Sequence, residues 1–221
     1  ISKWNSLEDA TFLGALLQQN ITPRFSEKIF SLEGKTYDPG TLIILRNDNR
    51  TTDFDEKLNK IANKHQRKIQ PVATGFVDSG LDFGSYSVKP INKQKIALLS
   101  GKGASSLSFG EIWHFFETQL NYPLNVINTS DISRLYATKY HVLILPDGFK
   151  ANEQALKKLS SFADEGGNIV AIGSALSNFA DTKTFGLKSK NTKEKDTAKS
   201  TPNLIPYDQK ENQSIKDAIT G

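Results

Sequence analysis

The sequence predicts an α/β protein: a doubly wound parallel sheet preceded by a small α/β unit. Three observations carry that prediction. From residue 95 onward, short apolar runs alternate with helix-length amphipathic segments, the rhythm of β–α–β units. The apolar runs IALLS, HVLILP and NIVAIG are continuous, as strands covered on both faces would be. Before residue 79, helical periodicity alternates with extended stretches punctuated by Gly and Pro.

Taken in order, Ser6 with Asp9 three residues on is a helix-start signature. Ala10, Leu13, Leu16 and Leu17 then share a face, and Asn20 ends the helix. Residues 21–46 read as extended, with a turn at Glu33-Gly34-Lys35 and a further strand, TLIIL, after Asp38-Pro39-Gly40. A second helix is predicted over 53–67 with Phe54, Leu58 and Ile61 inward, followed by a short strand IQPVAT. Residues 79–94, rich in Gly, Ser, Asp and Pro, read as a connector. Next come strand KIALLS, a helix over 109–120 opened by a Ser108/Glu111 capping box, and strand LNVIN. A short helix near 131–138, strand HVLILP, a helix over 152–164 closed by Gly166-Gly167, and strand NIVAIG complete the series. Such an order is flavodoxin-like. The domains are therefore a small unit over 1–78, a connector over 79–94 and the sheet domain from 95 to 221.

Composition narrows the function classes. The 221 residues include no cysteine, which excludes disulfides, thiolate metal ligands and thiol nucleophiles within this sequence. No apolar run approaches the length of a membrane span. The formal net charge is +4, and the stretch 182–203 accounts for all of it, with six lysines against Glu194 and Asp196. That stretch is a polar segment without apolar periodicity, so it reads as a solvated loop and not as a nucleic-acid face. Starting at Ile1 and ending mid-pattern at Gly221, the chain is expected to be a piece of something longer.

Three chemical motifs invite testing. Gly101-Lys102-Gly103 after IALLS resembles a phosphate loop, yet Ser106 stands where a third glycine belongs and the next strand ends at Asn128, not an acid. His114-x-x-Glu117 could place two metal ligands one turn apart, but zinc needs a third, and the only other histidines are His65 and His141. Ser174, after the last strand, occupies the position of a nucleophile elbow without its G-x-S-x-G frame and without a following histidine. No metal site is expected.

The segments KIALLSGKGASSLSFGEIWHFFETQLNYPLNVINTSDI, KYHVLILPDGF and FADEGGNIVAIGSA together resemble a class I glutamine amidotransferase-like domain of the PfpI-related kind. More closely, VATGFVDSGLDFGSYSV with GEIWHFFETQLNYP resembles the C-terminal half of large zinc carboxypeptidase-like proteins typical of Bacteroidetes. The resemblance implies an amidotransferase-like domain that follows a peptidase domain, with zinc held upstream, outside this chain. It also implies a periplasmic or extracellular location, with the upstream peptidase domain of the same polypeptide as partner. Active relatives carry a cysteine at the elbow, where this chain has Gly173 or Ser174, and a later histidine, which is missing here. Glu111 stands for the carboxylate that supports that cysteine, and Pro146-Asp147-Gly148 keeps the glycine-bearing turn.

The resulting expectation is a non-catalytic accessory region with a retained crevice at Gly101, Gly103, Glu111, Asp147, Gly148 and Ser174. Two alternatives stand beside it. One is a hydrolase or amidotransferase-like enzyme in which Glu111 or Asp147 activates Ser174. The other is a sensor that binds a small molecule near Gly101, Gly103 and Gly148.

Overall fold

A computed structural model of the chain describes residues 1–190. Ile1–Leu187 form one compact unit; Lys188–Gly221 form a second, of which only residues 188–190 are described. Of the lysine-rich stretch, Lys193, Lys195 and Lys199 lie outside the described residues.

Helix α1 (Leu7–Gln18) starts where Ser6 and Asp9 place it: the Asp9 carboxylate accepts the Ser6 N–H at 2.9 Å and the Asn5 N–H at 2.8 Å. Its most deeply buried residues are Phe12 and Leu16, so the core stripe runs through Phe12, while Ala10 and Leu13 are half-buried. The same carboxylate pairs with Arg67 at 3.0 Å, just beyond helix α2 (Phe54–Lys64). One buried acid thus caps α1 and ties it to the end of α2.

Strands β1 (Arg24–Ser26), β2 (Phe30–Leu32), β3 (Lys35–Tyr37) and β4 (Leu42–Ile43) are two or three residues long. β2 and β3 form a hairpin whose central residues Glu33 and Gly34 both have positive φ, the geometry that suits a two-residue turn to strand twist. β1 pairs antiparallel with β4 on one side and with β5 (Val88–Pro90) on the other. β5 falls inside the segment read as a connector. By contrast IQPVAT forms no strand; one of its amides, Gln70 N–H, donates to Ile1 at 2.9 Å.

The second half is a four-stranded, all-parallel sheet flanked by helices, in the order β7 (Leu124–Asn128), β6 (Ile96–Ser100), β8 (Val142–Leu145), β9 (Asn168–Ala171). The chain moves outward one way from β6 and the other way from β8, so the strand order reverses between these two neighbours. Leu159 and Phe162 of helix α4 (Glu153–Asp164) pack with Ala97, Leu99, Ile127, Leu143 and Leu145, and helix α3 (Ser106–His114) adds nothing to that cluster. Alternation along the strands turns Val126, Val170 and Ile172 to the opposite face. There they are 50%, 47% and 37% exposed, whereas Leu98 of β6 and Ile144 of β8, which point the same way, are buried; the second face is covered over the two central strands and open at the edge strands.

Three details of the sheet half differ from expectation. α3 begins at Ser106 with Ser105 as its cap, accepting the Ser108 N–H at 3.3 Å, so the Ser108/Glu111 capping box does not form. After His114 the helix widens into a π-turn over Phe115–Leu120, and Trp113 is 43% exposed. The helix expected near 131–138 is a 3₁₀ segment over Thr129–Arg134. The π-turn has a packing consequence: Thr11 donates to Gln119 at 3.3 Å and the Gln18 side chain donates to the Asn121 carbonyl, docking α1 there. α4 behaves as expected, with Asn152 capping its start at 2.8 Å and Gly166 at φ +93° closing its end.

Candidate functional site

The turns that leave the carboxyl ends of the parallel strands converge. Gly101 follows β6 at φ +110°, and a Cβ there would lie 2.8 Å from the Asn128 carboxamide at the end of β7. Gly148 follows β8 at φ +82°, and a Cβ there would lie 3.2 Å from the Gly103 carbonyl. Only glycine allows these backbones so close at such angles. The β6 and β8 turns are laced further: Ser105 N–H donates to the Asp147 carbonyl at 2.8 Å, and Asp147 N–H donates to the Ser108 hydroxyl at 3.1 Å.

Ser174 joins this cluster. Its hydroxyl donates to Asp147 Oδ1 at 2.6 Å, its N–H donates to the same oxygen at 2.7 Å, and Gly148 N–H donates to the hydroxyl at 3.0 Å. Gly173 makes this possible: at φ +58° it turns the chain so tightly that a Cβ would fall 2.5 Å from Asp147 Oδ1. The serine opens a 3₁₀ turn over Gly173–Asn178, so the Asp147 carboxylate acts as a cap on that turn. A second clasp lies at the far end of the turn, where Asn178 donates to the Phe149 carbonyl at 2.8 Å and accepts the Ala151 N–H at 2.8 Å.

The electrostatics suit a latch better than a catalytic pair. The Ser174 hydroxyl, the Ser174 N–H and the Gly148 N–H together hold the Asp147 carboxyl below its ordinary value. A depressed carboxylate is a weaker base, whereas taking a proton from a serine calls for one matched to the working pH. No imidazole assists. His114 contacts the Thr118 hydroxyl at 3.3 Å, His141 Nδ1 accepts the Lys95 N–H at 3.2 Å, and His65 sits at the end of α2 beside Phe12. Ser174 is exposed, not enclosed.

The structure therefore gathers Gly101, Gly103, Asp147, Gly148 and Ser174 and leaves Glu111 out. Glu111 is exposed on α3, and its carboxylate has no hydrogen bond or ion pair among the described residues. His114 and Glu117 lie on either side of the switch from α-helix to π-turn. Among the described residues no three His, Cys, Asp or Glu side chains cluster as metal ligands would. Asn178 and Asn128 escaped the sequence reading. Asn128 caps its own turn at Ser130, while Asn178 reaches across to Phe149 and Ala151; asparagine in a polar turn carries no signal of which distant carbonyl or glycine it will meet.

No family model matches the chain, and neither a curated protein nor a solved structure matches it.

Proposed function

We propose that this chain is a non-catalytic accessory region of a zinc carboxypeptidase-like protein, built around a flavodoxin-like, doubly wound, amidotransferase-like domain. The parent's zinc site would lie upstream, on residues outside this chain, in a periplasmic or extracellular protein. The upstream peptidase domain would be its partner in the same polypeptide. The observation that carries the non-catalytic reading is the commitment of Ser174. Its hydroxyl is held at 2.6 Å by a carboxylate depressed below its ordinary value, with no imidazole in contact. The parent is named from the sequence resemblance alone.

The test assays the chain on hippuryl peptides with added zinc, and on p-nitrophenyl acetate and γ-glutamyl amides without it. No turnover above the buffer rate is expected with any substrate. Zinc-dependent peptide cleavage that disappears in His114→Ala overturns the proposal.

One contact favours a second reading, a hydrolase using Ser174 with Asp147 as its base: the hydroxyl is within direct hydrogen-bond reach of the carboxylate. That reading requires ester or amide turnover that is lost in Ser174→Ala and in Asp147→Asn alike.

A further inference from the structure

A groove of about 920 Å³ lies beside the latch, on the α4 side of the strand ends. It opens over the junction of β6 and β8, where the strand order reverses and open α/β sheets characteristically receive ligands. Its volume is in the range of small-molecule sites. The latch residues Asp147, Gly148 and Ser174 are not among its lining; Gly103 is the one crevice glycine that reaches it.

The lining is chemically one-sided. Lys102, Lys150, Lys157 and Lys158 contribute four ammonium groups, and no carboxylate lines the groove. Nearby acids are engaged elsewhere or neutralise only one lysine: Glu153 pairs with Lys157 at 2.8 Å, and Asp131 lies 3.5 Å from Arg134. Lys158 rests its ammonium 3.8 Å from the centre of the Tyr136 ring. Lys102 and Lys150 have no carboxylate partner among the described residues. They project from the β6 and β8 turns, which the Ser105–Asp147 and Asp147–Ser108 hydrogen bonds brace against each other. Hydroxyls of Thr129, Ser130 and Ser133 form one wall, and the buried ring of Phe149 contributes apolar surface.

We infer that this groove binds a small oxyanion-bearing molecule, a phosphate ester or a polycarboxylate, between Lys102 and Lys150. Two unneutralised ammonium groups on braced turns attract a multivalent anion without ordering new backbone. The Thr129 and Ser133 hydroxyls supply neutral donors for its remaining oxygens, the Ser130 hydroxyl already donating to the Asn128 side chain at 3.0 Å. The site needs none of the latch chemistry, so it stands whether or not Ser174 is reactive.

Isothermal titration of the chain with pyrophosphate, citrate and glucose at low ionic strength tests it. One-to-one binding of pyrophosphate or citrate is expected, with none of glucose; tighter binding of pyrophosphate assigns the phosphate class and tighter binding of citrate the carboxylate class. Lys102→Glu/Lys150→Glu should weaken binding by about tenfold or more, while Lys60→Glu/Lys64→Glu on α2, an equal change of charge, leaves it within about threefold. Equal weakening by both pairs would mean unspecific attraction and would overturn the site, as would the absence of binding to either anion. Amide chemical-shift mapping on the unmodified chain gives a readout free of any folding defect. Shifts at residues 102–103, 128–133 and 148–152 support the groove, and shifts confined to other surfaces reject it.

Discussion

The N-terminal α/β unit and the parallel sheet achieve order by different means. In the sheet half, strands of four or five residues run in register, and α4 seals one face with side chains that are fully out of solvent. In the N-terminal half no strand exceeds three residues, and the apolar residues divide into two smaller clusters. Polar clamps fill the gap. Arg24 grips Asp48 through two hydrogen bonds of 2.6 and 3.0 Å, and Arg67 grips the capping acid Asp9. Where ladders are long, apolar packing sets the arrangement; where they are short, directional ion pairs decide which segments meet.

The contrast can be broken most sharply at Phe162. Its ring is fully buried beneath the sheet, and Gly167 runs so close that a Cβ would sit 2.3 Å from the ring. Phe162→Ala should cost about 3–5 kcal/mol of unfolding free energy by urea titration. No single clamp in the N-terminal unit should cost as much. Gly173→Ala probes the latch: an added Cβ meets Asp147 at positive φ, and a loss of about 1–3 kcal/mol is expected.

Asp9→Asn should cost about 1–2 kcal/mol, because it removes a charged partner from Arg67 while leaving the cap geometry in place. Burial alone would raise the Asp9 carboxyl, but the Asn5 N–H, the Arg67 guanidinium and the Ser6 N–H hold it below its ordinary value. A depressed folded value means that the contribution is complete above the unfolded carboxylate pKa of about 3.9 and fades as pH falls through the lower folded value. Denaturation followed from pH 6 downward should therefore show the unmodified chain losing its advantage over Asp9→Asn in the acid range. An advantage unchanged at pH 2 would refute the clamp.

The smallest effect is expected from Ser174→Ala. The side chain is exposed, so the melting temperature should fall only slightly, while the Asp147 carboxyl moves up toward its ordinary value in a ¹³C NMR titration. An unmoved titration would show that the hydroxyl does not hold the carboxylate.

Much of the fold was legible because its signals are short-range. Ser6 with Asp9, Glu33-Gly34, Asn152 and Gly166-Gly167 each act within a few residues, and each marks an element boundary in the structure. β5 was not legible: Val88–Pro90 is strand because Arg24–Ser26 lies beside it, more than sixty residues away in sequence. IQPVAT looked like a strand from its apolar residues but finds no ladder to join. The site divides in the same way. Asp147, Gly148 and Ser174 stood out as turn residues after strands, yet whether a carboxylate beside a serine is base or cap depends on its donors, which composition does not reveal.

By itself, then, the sequence determined where α1 starts and where α4 starts and ends, the hairpin turn, the parallel rhythm of the second half and the absence of thiol chemistry, since each follows from local periodicity or residue inventory. Only the tertiary structure decided that a supposed connector closes the first sheet and that Glu111 stands apart from Ser174. It also decided that two lysines from separate turns face one groove. Those outcomes rest on which distant backbones come within hydrogen-bond distance, a property of the assembled chain and not of any one segment.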